Sequence, residues 1–271
     1  MAAHRLIIDP PAFGAWNMAV DEALFNDAAD HGVATLRFYQ WSEPTLSLGY
    51  FQRYDDRRLH DASRQCAVVR RQTGGGAILH DRELTYSLAL PANHPLSRQT
   101  ENLYAAFHEA FIAALTPMIA HCDSQWVMKR RDQESSDSSR EDQFLCFQRR
   151  ALGDVVLLSP DANAGPRSVP PRLPSSPWKV LGSAQRRHRG AVLQHGSLLL
   201  EKSPAAPQLA GLCDLTALPV AIDAVSDSVR VRIESALNLR FSRTVLPPDL
   251  ESKAQQLANN KYGSPAWTKR R

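Results

Sequence analysis

The stretch RRQTGGGAILHDRELTYSLAL, Arg70 to Leu90, sets three consecutive glycines between a pair of arginines and a histidine, then runs into an alternating apolar strand. Successive glycines after a strand expose backbone N–H groups without side-chain obstruction, a concavity suited to a phosphate or carboxylate oxygen. Arg70 and Arg71 would add charge-assisted bonds and Thr73 a hydroxyl. The spacing is neither G-x-G-x-x-G opening a helix nor G-x-x-x-x-G-K-[ST], because a strand follows, so the common nucleotide loops are disfavoured. From the glycines alone, a plain hairpin connection accounts for the stretch equally well. His80 beside Asp81 reads either as a structural strand histidine bonded by its neighbour or as a chemical group.

Working outward, PAFGAWNMAVDEALFNDAADHG places Trp16, Ala19, Val20, Ala23 and Leu24 at helical spacing, with Gly32 as a stop. VATLRFYQW and TLSLGYF are β-branched or aromatic runs separated by a turn at Ser42-Glu43-Pro44, and CAVVRR leads into the glycines as a third strand of a sheet that continues through LTYSLAL. Leu103, Ala106, Phe107, Ala110, Phe111, Ala114 and Leu115 predict a helix covering one sheet face. Residues 129–142 lack any apolar side chain, and residues 159–177 are rich in Pro, Ser and small residues; both predict mobile loops. WKVLGSAQRRHRGAVLQHGSLLL predicts two strands around a basic turn, with Gly182 and Gly196 where backbone approaches something closely. From about residue 221, Val225, Val229, Ile233 and Leu237, then Leu250, Ala254 and Leu257, predict a helical C-terminal portion. Without a sharp boundary or repeat, residues 1–271 read as a single domain of α/β (α+β) class.

At 271 residues and 43% hydrophobic content, the chain can bury a sizeable core. No apolar run reaches bilayer length, and the N-terminus lacks a signal-peptide pattern, which predicts a cytoplasmic protein without membrane contact. The widely spaced Cys66, Cys122, Cys146 and Cys213 indicate neither a disulfide framework nor a zinc site. A formal net charge of +4 favours acidic partners in general. Lys179, among Trp178, Val180 and Leu181, reads as an ordinary strand lysine or as a partly buried one whose depressed pKa would make it a base or a held cation. A cysteine between Leu145 and Phe147 reads by itself as a small buried hydrophobe.

The two glycine-containing motifs together resemble the paired signatures of the lipoate/octanoate transfer superfamily, which includes biotin protein ligases. The likeness also takes in NMAVDEAL, LRFYQWSEPTLSLGYFQ and LANNKYGSPAWTKRR. It implies a mixed β-sheet catalytic fold with flanking helices, in which the glycine turn and the lysine strand form opposite walls of an acyl tunnel. FLCFQ before GDVVLL and K-x-x-G-S-A-Q resembles the order found in cysteine-dependent octanoyltransferases. The implied catalytic residues are Cys146 and Lys179. Those for substrate are Arg71, Thr73, Gly74, Gly75, Gly76, Ala77, His80, Gly182, Ser183, Ala184, Gln194, His195 and Gly196. Backbone N–H groups near Gly76-Ala77 or Gly182-Ser183 would hold the oxyanion.

The activity so implied is octanoyl transfer from acyl carrier protein through a Cys146 thioester to a lysine of a lipoyl domain or the glycine-cleavage carrier protein, by a monomer with no metal or cofactor. Ala77 after the triple glycine is closer to the ligase form of the turn. An ATP- and magnesium-dependent lipoate-protein ligase is therefore the alternative, and a non-catalytic acyl-chain carrier a second. No helix-turn-helix pattern suggests a nucleic-acid partner.

Overall fold

A computed structural model of the chain describes residues 4–120, 125–128, 144–149, 153–158 and 177–271. The predicted loops 129–142 and 159–177, apart from Pro177, lie outside the described residues, as does Cys122.

The strands are β1 (His4–Ile8), β2 (Thr35–Tyr39), β3 (Thr45–Leu48), β4 (Ala67–Arg70), β5 (Ile78–His80), β6 (Glu83–Leu90), β7 (Gln125–Met128), β8 (Val155–Leu158), β9 (Trp178–His188), β10 (Ala191–Leu199) and β11 (Phe241–Arg243). Eight form a mixed sheet in the order β11-β1-β2-β6-β10-β9-β8-β7; β4-β3-β5 form a second, smaller sheet. The continuous sheet expected from the run of strands before and after the glycines is thus divided. β2 and β6 pair in the large sheet, while the strands between them leave to build the small one. Strand pairing is non-local, and no period within a strand encodes its partner.

Side-chain alternation along β2 and β6 sorts two faces. Leu36, Phe38, Leu84, Tyr86, Leu88 and Leu90 point into an apolar core capped by α2 (Thr100–Leu115) and by α4 (Ile222–Leu237), which packs on α2. Phe107 and Phe111 of α2 lie 4.9 and 5.1 Å from the Tyr86 ring, as the helical spacing predicted. Truncating either phenylalanine to alanine would cost about 3–5 kcal/mol.

The opposite face carries Arg37, Tyr39, Glu83, Thr85 and Ser87 and is covered by α1 (Gly14–His31), itself packed on α5 (Pro248–Leu257). Gly32 ends α1 in a left-handed conformation, φ 72°, the stop expected there. In α1, Ala19, Val20, Ala23 and Leu24 are buried, but so are Asn17 and Asp21, one turn apart. This polar pair faces the polar side of the sheet.

β9 and β10 form the expected hairpin, closed by Arg189 and Gly190 at φ 50° and 83°, the primed-turn geometry that suits strand twist. The C-terminal portion contains the expected helices and, among elements not anticipated, a π-helical turn at Ala258–Tyr262, a short helix at Pro265–Thr268 and β11, three residues pairing parallel with β1. So short a strand has no readable period. Among the described residues, no helix is long and apolar enough to cross a membrane.

Candidate active site

The glycine turn and the β9 lysine strand meet at one short segment, a single 3₁₀ turn over Cys146–Gln148. Leu145 bridges Ala77 in parallel; the Ala77 N–H donates to Phe144 O at 3.3 Å and the Cys146 N–H to Ala77 O at 2.7 Å. The Gly76 backbone lies directly against Cys146: a Cβ on Gly76 would stand in ordinary contact, 3.4 Å from Cys146 Cα. The Cys146 side chain is half-buried. At Cys66 and Cys213, also half-buried, burial pushes the thiol pKa up, with Asp81 near one and Glu201 near the other adding to it.

Lys179 is driven under this segment. Its Nζ lies 2.8 Å from Asp154 Oδ2, with both side chains 2% exposed. It reaches Cys146 O at 3.3 Å and Cys146 Sγ at 3.7 Å, and sits 5.1 Å from the Phe147 ring centre. Burial alone pulls the ammonium's pKa down, but negative charge on Cys146 and Asp154 outweighs it, and the net shift is upward. The expectation of a depressed lysine pKa is corrected accordingly. Carboxylate and sulfur keep the side chain a cation, not a neutral base.

Gly182 explains the room for that cation. A Cβ there would lie 2.6 Å from Lys179 Cε, and one on Gly196 2.5 Å from Gly182 O, so both glycines are required by close approach. Ala184 is paired with His195 across the hairpin.

A hydrogen-bond chain crosses behind the lysine. His108 Nδ1 lies 2.6 Å from Gly153 O, which can only accept, so that nitrogen carries the proton; Nε2, 2.6 Å from Ser183 Oγ, then accepts from the hydroxyl. Ser183 in turn accepts from the Tyr86 hydroxyl, which accepts from Gln194 Nε2 at 3.1 Å. Burial holds His108 neutral, with its pKa lowered to about 3. Tyr104, one turn before His108 on α2, donates to Asp154 Oδ1 at 3.1 Å and accepts from the Ser183 N–H at 3.3 Å.

The glycine turn rests on a second network. Arg71 was expected to hold an anion, yet its guanidinium donates to Ser47 O at 2.8 Å and to Gly74 O and Gly76 O at 2.7 Å each, tying the turn from beneath. Arg70 likewise donates to Gly49 O, Gln52 O and Thr268 O. Arg71 satisfies carbonyls of the glycine turn and Arg70 those of the neighbouring loop and the C-terminal segment, a demand no sequence pattern displays. Thr73 donates to His195 Nε2 at 2.7 Å, and His195 Nδ1 lies 3.1 Å from Asp21 Oδ2, with burial lowering the imidazole's pKa and keeping it neutral. Asp21 also accepts from Arg37, Tyr39 and Ser87.

His80 is stacked on Trp41 at 4.0 Å and bonded through Nδ1 to Glu83 at 2.6 Å, not to its neighbour Asp81, which accepts from Ser203 instead. Of the four N–H groups expected near an oxyanion, that of Ala77 is bonded to Phe144 O and that of Ser183 to Tyr104. The buried Gly76 N–H has no acceptor among the described residues.

The structure therefore gathers Cys146, Lys179, Gly76, Ala77, Gly182 and Ser183 in one place. Thr73, His195 and His80 lie in the layer beneath, with Arg71 clamping Gly74 and Gly76; Gly75 holds the exposed tip at φ 93°. Sequence reasoning passed over Asp154, Tyr104, His108, Asp21 and Arg37. Tyr104 and His108 were legible as an i, i+4 polar pair within an otherwise apolar helix face.

Residues 14–208 match the model of the lipoyl protein ligase A/B catalytic domain. The chain belongs to this family. Among curated relatives it is 30% identical to octanoyltransferase LipM of Kyrpidia tusciae, with 100% of each chain covered. It is 28% identical to octanoyltransferase LipM of Anoxybacillus flavithermus, covering 95% of this chain and 94% of the relative. The fold is that of a bi-partite lipoate protein ligase solved with its E2 lipoyl domain, from Thermoplasma acidophilum: TM-score 0.67 and 20% identity, covering 99% of this chain and 97% of the other. The mixed sheet with flanking helices is thus the fold of this family.

Proposed function

We propose that this protein is an octanoyltransferase of protein lipoylation, working through a Cys146 thioester. The observation that carries the reading is a half-buried thiol 3.7 Å from a lysine ammonium locked by a buried carboxylate. An ATP-dependent ligase, which activates a free acid as an acyl-adenylate, has no use for such a thiol. The identity to octanoyltransferases over whole chains supports the same conclusion.

In the proposed reaction, Cys146 sulfur attacks the thioester carbonyl of octanoyl acyl carrier protein. The carbon–sulfur bond to the carrier breaks, and the carrier's thiolate leaves and is protonated. The Lys179 ammonium balances negative charge as it passes between the sulfurs, and Asp154 holds it in place. The Gly76 N–H is the candidate oxyanion donor, a contact worth about 3 kcal/mol in comparable sites. A lysine amine of a lipoyl domain or of the glycine-cleavage carrier protein then attacks the acyl-enzyme, forming the amide, releasing Cys146 and giving up a proton. No nucleotide or metal takes part in this route.

The test is intact-protein mass spectrometry after incubation with octanoyl acyl carrier protein, without ATP or magnesium. An octanoyl adduct removed by hydroxylamine and missing in Cys146→Ala is expected. Lipoyl-domain modification that requires free lipoate and ATP, with no adduct, would instead make the protein a ligase. Binding of the acyl chain without modification of any acceptor would make it a carrier.

A further inference from the structure

The glycine turn has a second border. While Gly76 faces Cys146, Gly74 faces Phe51, which is 67% exposed, with the nearest ring carbon 3.9 Å from where a Gly74 Cβ would stand. Phe51 and Tyr50 leave the turn together, the Tyr50 N–H donating to Thr73 O at 2.9 Å.

Three guanidinium groups converge on these rings. Arg270 lies 4.2 Å from the Tyr50 ring centre, Arg186 5.3 Å, and Arg271 5.2 Å from that of Phe51. The frame is anchored: Arg186 donates to Gln72 O at 2.8 Å, Trp267 Nε1 to Arg70 O at 2.8 Å, and the Tyr54 N–H to Arg271 O at 2.8 Å. Nearby Lys261 is neutralised by Glu22 at 2.6 Å. Among the described residues, no Asp or Glu side chain forms an ion pair with Arg186, Arg270 or Arg271.

Like charges held together without a counter-ion are unfavourable unless an anion joins them. Arg186 spends one N–H on Gln72 O and Arg270 bonds the Tyr50 hydroxyl, but a guanidinium carries five N–H donors, and those remaining can meet an oxyanion.

We propose that Tyr50, Phe51, Arg186, Arg270 and Arg271 form a docking site for the phosphodiester that joins an acyl carrier's pantetheine arm to its protein. This deepens the transfer reading and rests on it. Gly76 faces Cys146 and Gly74 faces Phe51 on the same turn, so an arm running along that turn from a thioester at Cys146 would bring its first fixed charge, the diester, to this border.

The test compares wild type with Arg270→Gln/Arg271→Gln on three donors: octanoyl acyl carrier protein, free octanoyl-phosphopantetheine, and octanoyl-pantetheine, which lacks the phosphate. For the two phosphorylated donors KM should rise about tenfold, with salt dependence largely lost and kcat retained. For octanoyl-pantetheine both constants should stay at the wild-type level. An equal loss on all three donors, or a loss confined to the intact carrier protein, would overturn the proposal.

A binding measurement separates this from failure of the transfer reading. Wild type should bind the phosphopantetheine-bearing carrier without an acyl group more tightly than the apo carrier, and the double variant should not distinguish them. Equal binding of both forms by wild type, or tighter binding of a short RNA duplex than of either, would also overturn it.

Discussion

Arg37 and Lys179 are both cations taken out of water, and they end differently. Arg37 is surrounded by acceptors that consume it: Asp9 at 2.6 Å, Asp21 at 2.9 Å, Asn17 O at 3.1 Å and Asn17 Oδ1 at 3.0 Å. Lys179 has one carboxylate at 2.8 Å, and its remaining contacts fall on the carbonyl and sulfur of a half-buried cysteine. Burial and ion pairing are common to both and do not mark a reactive site. What separates them is whether the cation's own contacts are all structural acceptors or include an atom that a substrate can reach.

The comparison is sharpened first at the sulfur. Cys146→Ala should lower transfer by about 10⁴-fold or more, measured as single-turnover amide formation on a lipoyl domain. Lys179→Met should lower it by about 10²–10⁴-fold. Asp154→Asn strands a buried ammonium and should cost about 3–5 kcal/mol in denaturant unfolding. Adding Lys179→Met to Asp154→Asn should recover much of that stability and none of the activity. Recovery of both would show that the pair is only structural.

Arg37→Leu breaks the closed network and leaves two carboxylates facing an apolar side chain. About 3–5 kcal/mol of stability should be lost, and because Asp21 also holds His195 against Thr73, transfer per folded molecule should fall less than about tenfold, well short of the Lys179→Met loss. A rate loss as large as that of Lys179→Met would break the comparison. Gly182→Ala pushes a methyl against Lys179 Cε, and because Asp154 pins the ammonium, the rate should fall about ten- to a hundredfold and unfolding stability by about 1–3 kcal/mol.

The last effect is on pH dependence. His108 is held neutral in the fold, with its pKa near 3 against an ordinary 6.5, so the unfolded chain binds the extra proton between those values. Its contribution is fully present above pH 6.5 and is lost as the pH falls toward 3, at up to about 1.4 kcal/mol per pH unit. In His108→Asn the stability profile should be flatter over that window. An unchanged slope would show that the imidazole is not buried as described.

By itself the sequence determined whatever depends on neighbours along the chain. Helical spacing marked α1, α2, α4 and α5, because a 3.6-residue period records which face is buried. The glycine turn, Lys179, Gly182 and Gly196 stood out because close backbone approach restricts residue type. Cys146, by itself a small buried hydrophobe, stood out only through the family resemblance, by its order ahead of the lysine motif. Tertiary structure alone decided that β3, β4 and β5 leave the main sheet, that Arg70 and Arg71 bind carbonyls, and that Lys179 is a cation. The bonds joining His195 to Thr73 and to Asp21 span 122 and 174 residues, and that from Ser183 to His108 spans 75. No local period records contacts at such separations; burial brings them together, and the desolvation of each polar group then requires the partner that the fold supplies.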